Sequence, residues 1–213
     1  MAKHGEEVRD ALVHQWQAIT AAVATIDLET PSRVTGWRNR EVVAHLCLQP
    51  TLRRKFIATA PTQHAVVTVA ASLAGTHSLA RLVDASARQA AGAGRVDFAK
   101  AVDEAVPALR AADLSATVVT MQGPIRLADY LVTRCVEAVV HGCDLVDPVR
   151  PDRVAQAITA GALLEALAAR APHLVREARQ LPLPVRAMPC PATGRPPPAL
   201  TPPALSQPLG RFG

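Results

Sequence analysis

Apolar residues recur along most of this chain at the three- and four-residue spacing of a helix face, and Gly and Pro cut that pattern into segments. From about Glu6 to Ile26, Val8, Leu12, Gln15, Ile19, Ala22 and Val23 form one stripe. Pro31 and Gly36 bracket a connection to a second helix, which starts near Arg38 and carries Val42, Val43, Leu46 and Leu48. Pro50 ends or kinks it, with a continuation to about Ala58. A third helical stretch covers roughly Gln63 to Ala91, broken around Gly75, and stops at Gly92-Ala-Gly94. A fourth spans about Asp97 to Ala111.

The rhythm changes at Ala116 to Met121, where a β-branched run meets the turn Gln122-Gly-Pro124, predicting a short hairpin or extended excursion. A helix follows from about Leu127 and ends before Pro148, with Asp129 in its first turn favouring the helix dipole. The last, from about Asp152 to Ala171, sets Val154, Ile158, Leu163, Leu164 and Leu167 on an expected core face. The fold class is therefore all-α, a helical bundle over residues 1–171. Eleven of the eighteen prolines lie beyond Ala171, so residues 172–213 are expected to form a Pro-rich irregular or disordered tail.

Composition narrows this picture. The chain is 49% hydrophobic but only 3% aromatic, so the core is expected to be built of Ala, Val and Leu on closely packed helices. No apolar run is long enough to span a bilayer, and the N-terminus has no signal-peptide pattern, so a cytoplasmic protein that binds no membrane is expected. The net charge of +5 is concentrated in the tail, which holds five arginines and one glutamate after residue 171. The body is close to neutral, which argues against a nucleic-acid partner. Cys47, Cys135, Cys143 and Cys190 show no C-x-x-C spacing; the first three read as buried free thiols, with Cys143 also considered as an additional ligand or redox-sensitive neighbour of a site.

Candidate chemistry lies in Arg134-Cys-Val-Glu-Ala-Val-Val-His-Gly-Cys-Asp144. Glu137 and His141 are four residues apart on a helix that is apolar almost all the way round, so both are expected to be buried on one face, with Cβ atoms roughly 5–6 Å apart. A buried Glu beside a buried His is costly unless both are satisfied, and a metal ion is one way to do so. Core Glu–His pairs without metal are also common. A third ligand is expected from another helix, and His45, set among aliphatics in Glu41-Val-Val-Ala-His-Leu-Cys-Leu48, is the candidate. Two imidazole nitrogens and one carboxylate oxygen make the open three-ligand zinc arrangement.

The segments Thr35-Gly-Trp-Arg-Asn-Arg-Glu-Val-Val-Ala-His-Leu46 and Arg134 to Leu145 resemble the two signatures of the mycothiol-dependent maleylpyruvate isomerase family, whose metal-binding N-terminal domain is a four-helix bundle of the DinB/YfiT-like type found in actinobacteria. Gln122 to Leu131 resembles the family's approach to its second motif, and the resemblance extends over about residues 5–170. It implies a divalent metal, usually zinc, held by His45, Glu137 and His141, and mycothiol or a similar low-molecular-weight thiol as cosubstrate. The implied chemistry is thiol transfer or cis–trans isomerisation, in which a thiolate adds to a conjugated double bond, the resulting single bond rotates and elimination regenerates the thiol. The implied partners are a small-molecule thiol and an electrophilic substrate, with a homodimer left open. The isomerase also has a C-terminal domain supplying substrate contacts, including an arginine, where this chain has its Pro-rich tail; that difference argues against maleylpyruvate itself as substrate.

Among the neighbours, Asp144 is expected to orient an imidazole, and Arg134 to pair with Glu137 or, less simply, to bind an anionic substrate. Trp37 and Tyr130 read as packing residues and Glu41 as a solvated first-turn acid. His4, His14, His64, His77 and His173 have no partner spacing. A non-catalytic, metal-stabilised binding or stress-response module is the alternative function, and a paralogue that has lost catalysis is a third.

Overall fold

A computed structural model describes residues 2–58, 65 and 67–171 of the chain. In chain order the elements are α1 (Ala2–Val23), α2 (Asn39–Ala58), α3 (Val69–Gly75), a 3-10 turn (Thr76–Leu79), α4 (Ala80–Gly92), α5 (Phe98–Ala111), the strands β1 (Thr117–Thr120) and β2 (Gly123–Arg126), α6 (Leu127–Asp144) and α7 (Arg153–Arg170). The fold is all-α with one small hairpin. Four helices close a ring: α1 packs on α6 and α5, and α2 packs on the same two. Outside it, α4 lies on α2, while α7 lies on α6, α1 and α3. The expected tail, residues 172–213, and with it Cys190 and His173, lies outside the described residues.

The ring encloses a core of aliphatics around two large aromatics. Trp16, Phe98, Leu12, Ile19, Leu46, Leu109 and Leu131 are all essentially inaccessible. Full burial of each such side chain stabilises the fold by roughly 1.5–3 kcal/mol. Close approach of α1 to α6 needs Gly142, where a Cβ would sit 3.1 Å from Nε2 of Gln15 and 3.4 Å from Ile19.

Local chemistry sets the helix starts. Asp97 accepts a hydrogen bond from the Lys100 amide at 3.0 Å and Asp152 one from the Ala155 amide at 2.7 Å, both as N-caps. Glu41 is a correction to the sequence reading: it is buried, and its Oε2 accepts from the Arg38 amide at 2.7 Å, reaching back to the start of α2 as the Glu of a capping box does. Its other oxygen accepts from Nε of Arg40 at 2.9 Å. Helix α2 runs on through Pro50 to Ala58.

The hairpin forms where the β-branched run predicts it, antiparallel with Val118 opposite Ile125. Its turn needs a glycine, since Gly123 has φ of 119°. Of the helix expected from Gln63, residues 63, 64 and 66 lie outside the described residues; among those described it begins at Val69, and the Val67 amide just before it donates to the Pro124 carbonyl of β2 at 3.0 Å. The break at Gly75 is present as a 3-10 turn.

Helix α7 has the expected span but only part of the expected face, Ile158 packing against the core as expected. It buries Ala155, Thr159 and Ala162 and leaves Val154, Leu163, Leu164 and Leu167 between 38% and 51% exposed. Small residues let the backbone of α7 come close to its neighbours, and that closeness outweighs burial of the longer side chains. No helix of the described residues is long and apolar enough to cross a membrane.

Candidate metal centre

Helices α2 and α6 bring His45, Glu137 and His141 together. His45 is on the buried face of α2, while Glu137 and His141 are one turn apart on α6. Nε2 of His45 lies 3.2 Å from Oε2 of Glu137, and Nε2 of His141 lies 3.6 Å from the same oxygen. One ligand atom from each residue falls within 4.8 Å of the other two. Ligands on a tetrahedral zinc with bonds near 2.0–2.1 Å stand about 3.3 Å apart, so the two separations from Glu137 are of the size a small divalent cation requires. The side chains are 11%, 14% and 19% exposed, so the cluster is mostly but not wholly shielded from solvent.

Charge is arranged to keep an anion at the centre. Burial works against ionised Glu137, but hydrogen bonds from His141 and His45 and the positive charge of Arg134 overcome it and hold the carboxyl well below its usual range. Burial also opposes protonation of His141, yet the hydrogen bonds to Asp144 and to Glu137, with the charges of both carboxylates, raise that imidazole to about 9. His45 moves the other way: burial, His141 and Arg134 lower it despite Glu137. In the metal-free chain one imidazolium thus stands between two carboxylates, and neutral His45 donates Nε2–H to Glu137.

The supporting contacts include several that sequence reasoning missed. Nδ1 of His141 is 2.9 Å from Oδ2 of Asp144, so the ring nitrogen facing away from the cluster donates to that carboxylate and Nε2 is the one directed inward. The end of α6 is held by Arg33 in the α1–α2 connection: its amide donates to the Asp144 carbonyl at 2.8 Å and its Nε to the Leu145 carbonyl at 3.1 Å. Asn39 accepts from the Val146 amide at 3.1 Å. Trp37, read from sequence as packing, lines the site: its ring stacks on His141 with centroids 6.4 Å apart and leans on His45 at 5.9 Å. Its indole N–H donates to Asp84 on α4 at 2.6 Å, and Arg88 bridges Asp84 to the Gly36 carbonyl. Only the place of Trp37 within the first motif could have suggested this, because Asp84 lies 47 residues away.

Other expectations divide. Cys47, Cys135 and Cys143 are buried and in no disulfide, and burial pushes the Cys47 thiol up to about 12. Cys143 directs its sulfur to the Val149 carbonyl at 3.8 Å and, among the described residues, joins no cluster that could hold a metal. His4 and His14 are exposed beside Glu7 and Asp152; His64 and the His77 side chain lie outside what is described. The expected Arg134–Glu137 pairing is an electrostatic influence without a direct contact: Arg134 donates from Nε to Thr133 Oγ1 at 3.2 Å and lies 5.0 Å over the Tyr130 ring, while its charge acts on the Glu137 carboxyl.

A helical bundle with a largely buried His-Glu-His cluster between two of its helices is the class that fold and geometry define together. The family model for the mycothiol maleylpyruvate isomerase N-terminal domain matches residues 9–146, well over half the chain, and the chain belongs to that family. Neither the curated proteins nor the solved structures contain a match to it.

Proposed function

We propose that His45, Glu137 and His141 hold one divalent metal ion, zinc by the nature of the ligands, and that this centre activates a small-molecule thiol against an electrophile. Mycothiol is the thiol the family points to, and transfer or cis–trans isomerisation the reaction type. The observation that carries the reading is the convergence of two imidazole nitrogens on one carboxylate oxygen at 3.2 and 3.6 Å across two helices. Nitrogen and carboxylate donors favour zinc or a late first-row ion over magnesium or calcium.

A bound divalent cation supplies the charge that lets a thiol lose its proton near neutral pH. The chain's residues prepare that site. Glu137 stays ionised, Asp144 retains the Nδ1 proton of His141 so that Nε2 offers its lone pair, and Trp37 closes one side against water. The test is metal content of untagged protein, with about one ion per chain expected, followed by turnover of a thiol with electrophiles before and after chelation. Metal-dependent turnover supports the enzyme; bound metal with no turnover across thiols and electrophiles favours the non-catalytic module.

A further inference from the structure

The two imidazoles of the cluster are not supported alike. Nδ1 of His141 is paired with Asp144, whereas Nδ1 of His45 is buried with no hydrogen-bond partner. In the metal-free chain that nitrogen carries only a lone pair, since the ring proton sits on Nε2 and is donated to Glu137 at 3.2 Å. Once Nε2 gives its lone pair to a metal, the ring proton belongs on Nδ1, and a buried N–H then stands where no acceptor serves it. Ligating histidines almost always donate that second nitrogen to a carboxylate, a carbonyl or a water.

One turn further along α2 is Gln49, 3% exposed, with both Oε1 and Nε2 buried and unpaired. A buried amide left without partners is unfavourable, and Asn39 at the start of the same helix shows the usual arrangement, paired to the Asp27 carbonyl and the Val146 amide. Positions 45 and 49 share a face of α2, and a helical side chain leans back over the turn before its own Cα, so the amide of residue 49 is directed towards residue 45. The acid one turn before His45 is already engaged, since Glu41 accepts from the Arg38 amide and from Nε of Arg40. We propose that Gln49 is a positioning residue of the metal centre: its Oε1 accepts the Nδ1 proton of His45 in the metal-bound state, doing on α2 what Asp144 does for His141 on α6. The two groups are not bonded in the metal-free chain, so this contact forms on loading. The inference rests on the metal-centre reading and adds to it the residue that holds the α2 ligand.

The experiment measures zinc affinity of untagged full-length wild type, Q49L and Q49E by competition with a chromophoric chelator, alongside thermal melts of the metal-free proteins and nitrogen-15 NMR of the imidazoles. Q49L, of similar size but without an acceptor, is expected to bind zinc about tenfold or more weakly. Its metal-free form is expected to melt no lower than wild type, because an unpaired buried amide has been removed. Q49E, which keeps an oxygen acceptor, is expected to stay within a few-fold of wild-type affinity. Zinc loading of the wild type is expected to bring up a protected Nδ1–H signal from His45 that Q49L lacks. Q49M serves in place of Q49L if that variant does not fold. Wild-type zinc affinity in Q49L, an equal loss in Q49E, or a lower melting temperature of metal-free Q49L overturns the proposal while leaving the metal centre in place. A wild type that binds no zinc overturns the metal centre, and this inference with it.

Discussion

Helices α6 and α7 are packed neighbours of equal length, 18 residues each, and they resolve the same problem in opposite ways. Helix α6 is apolar on nearly every side and yet draws a glutamate and a histidine inward, because each finds a charged or hydrogen-bonding partner there. Helix α7 has the more conventional leucine stripe and leaves half of it exposed, because Ala155, Thr159 and Ala162 make the closer contact. A stripe of aliphatics therefore says that a helix packs, and a polar residue set among aliphatics says more about where the chemistry is.

The contrast breaks most severely at its polar end. Glu137→Ala leaves two imidazoles without the anion between them, and metal affinity is expected to fall beyond about 100-fold, more than loss of an orienting residue causes. Equilibrium dialysis against zinc measures it. Asp144→Ala removes the acceptor that fixes His141 and is expected to weaken metal binding by about 10–100-fold with the helix content unchanged. On α7, Ala155→Leu forces a larger side chain into a fully buried position and is expected to cost about 1–3 kcal/mol in chemical denaturation. Leu164→Ala, at a residue 51% exposed, is expected to change stability by no more than about 0.5 kcal/mol. A larger loss at Leu164 than at Ala155 would reverse the assignment of the α7 faces.

The pH dependence separates the two helices as well. His141 in the metal-free fold titrates at about 9 against 6.5 when unperturbed, so the protonated ring stabilises the fold fully below pH 6.5, and that contribution is lost as pH rises towards and through 9. Metal-free protein is expected to melt at lower temperature as pH is raised across that window, and Asp144→Ala to flatten the change. Packing of α7 through Ala and Thr carries no such dependence.

Much of this was legible in the sequence for identifiable reasons. Glu137 and His141 are tied by helix geometry alone, and His45 was conspicuous because an imidazole among Val, Ala and Leu needs a partner. The hairpin followed from a β-branched run and a Gly-Pro turn. What stayed hidden depended on distant residues: the buried capping role of Glu41 on Arg38, the start of α3 on the Val67–Pro124 hydrogen bond, and the indole of Trp37 on Asp84. Arg134 looked like half of an ion pair because Glu137 is three residues away, yet its charge acts on that carboxylate without contact, because the two imidazoles claim it.

The atoms that surround the metal decide whether this centre exists. X-ray absorption at the zinc edge, on protein loaded with one equivalent, is predicted to show two imidazole nitrogens and one carboxylate oxygen at about 2.0–2.1 Å, with the imidazole signature reduced in His45→Ala. A shell containing protein sulfur, or a spectrum that His45→Ala and His141→Ala leave unchanged, would contradict it.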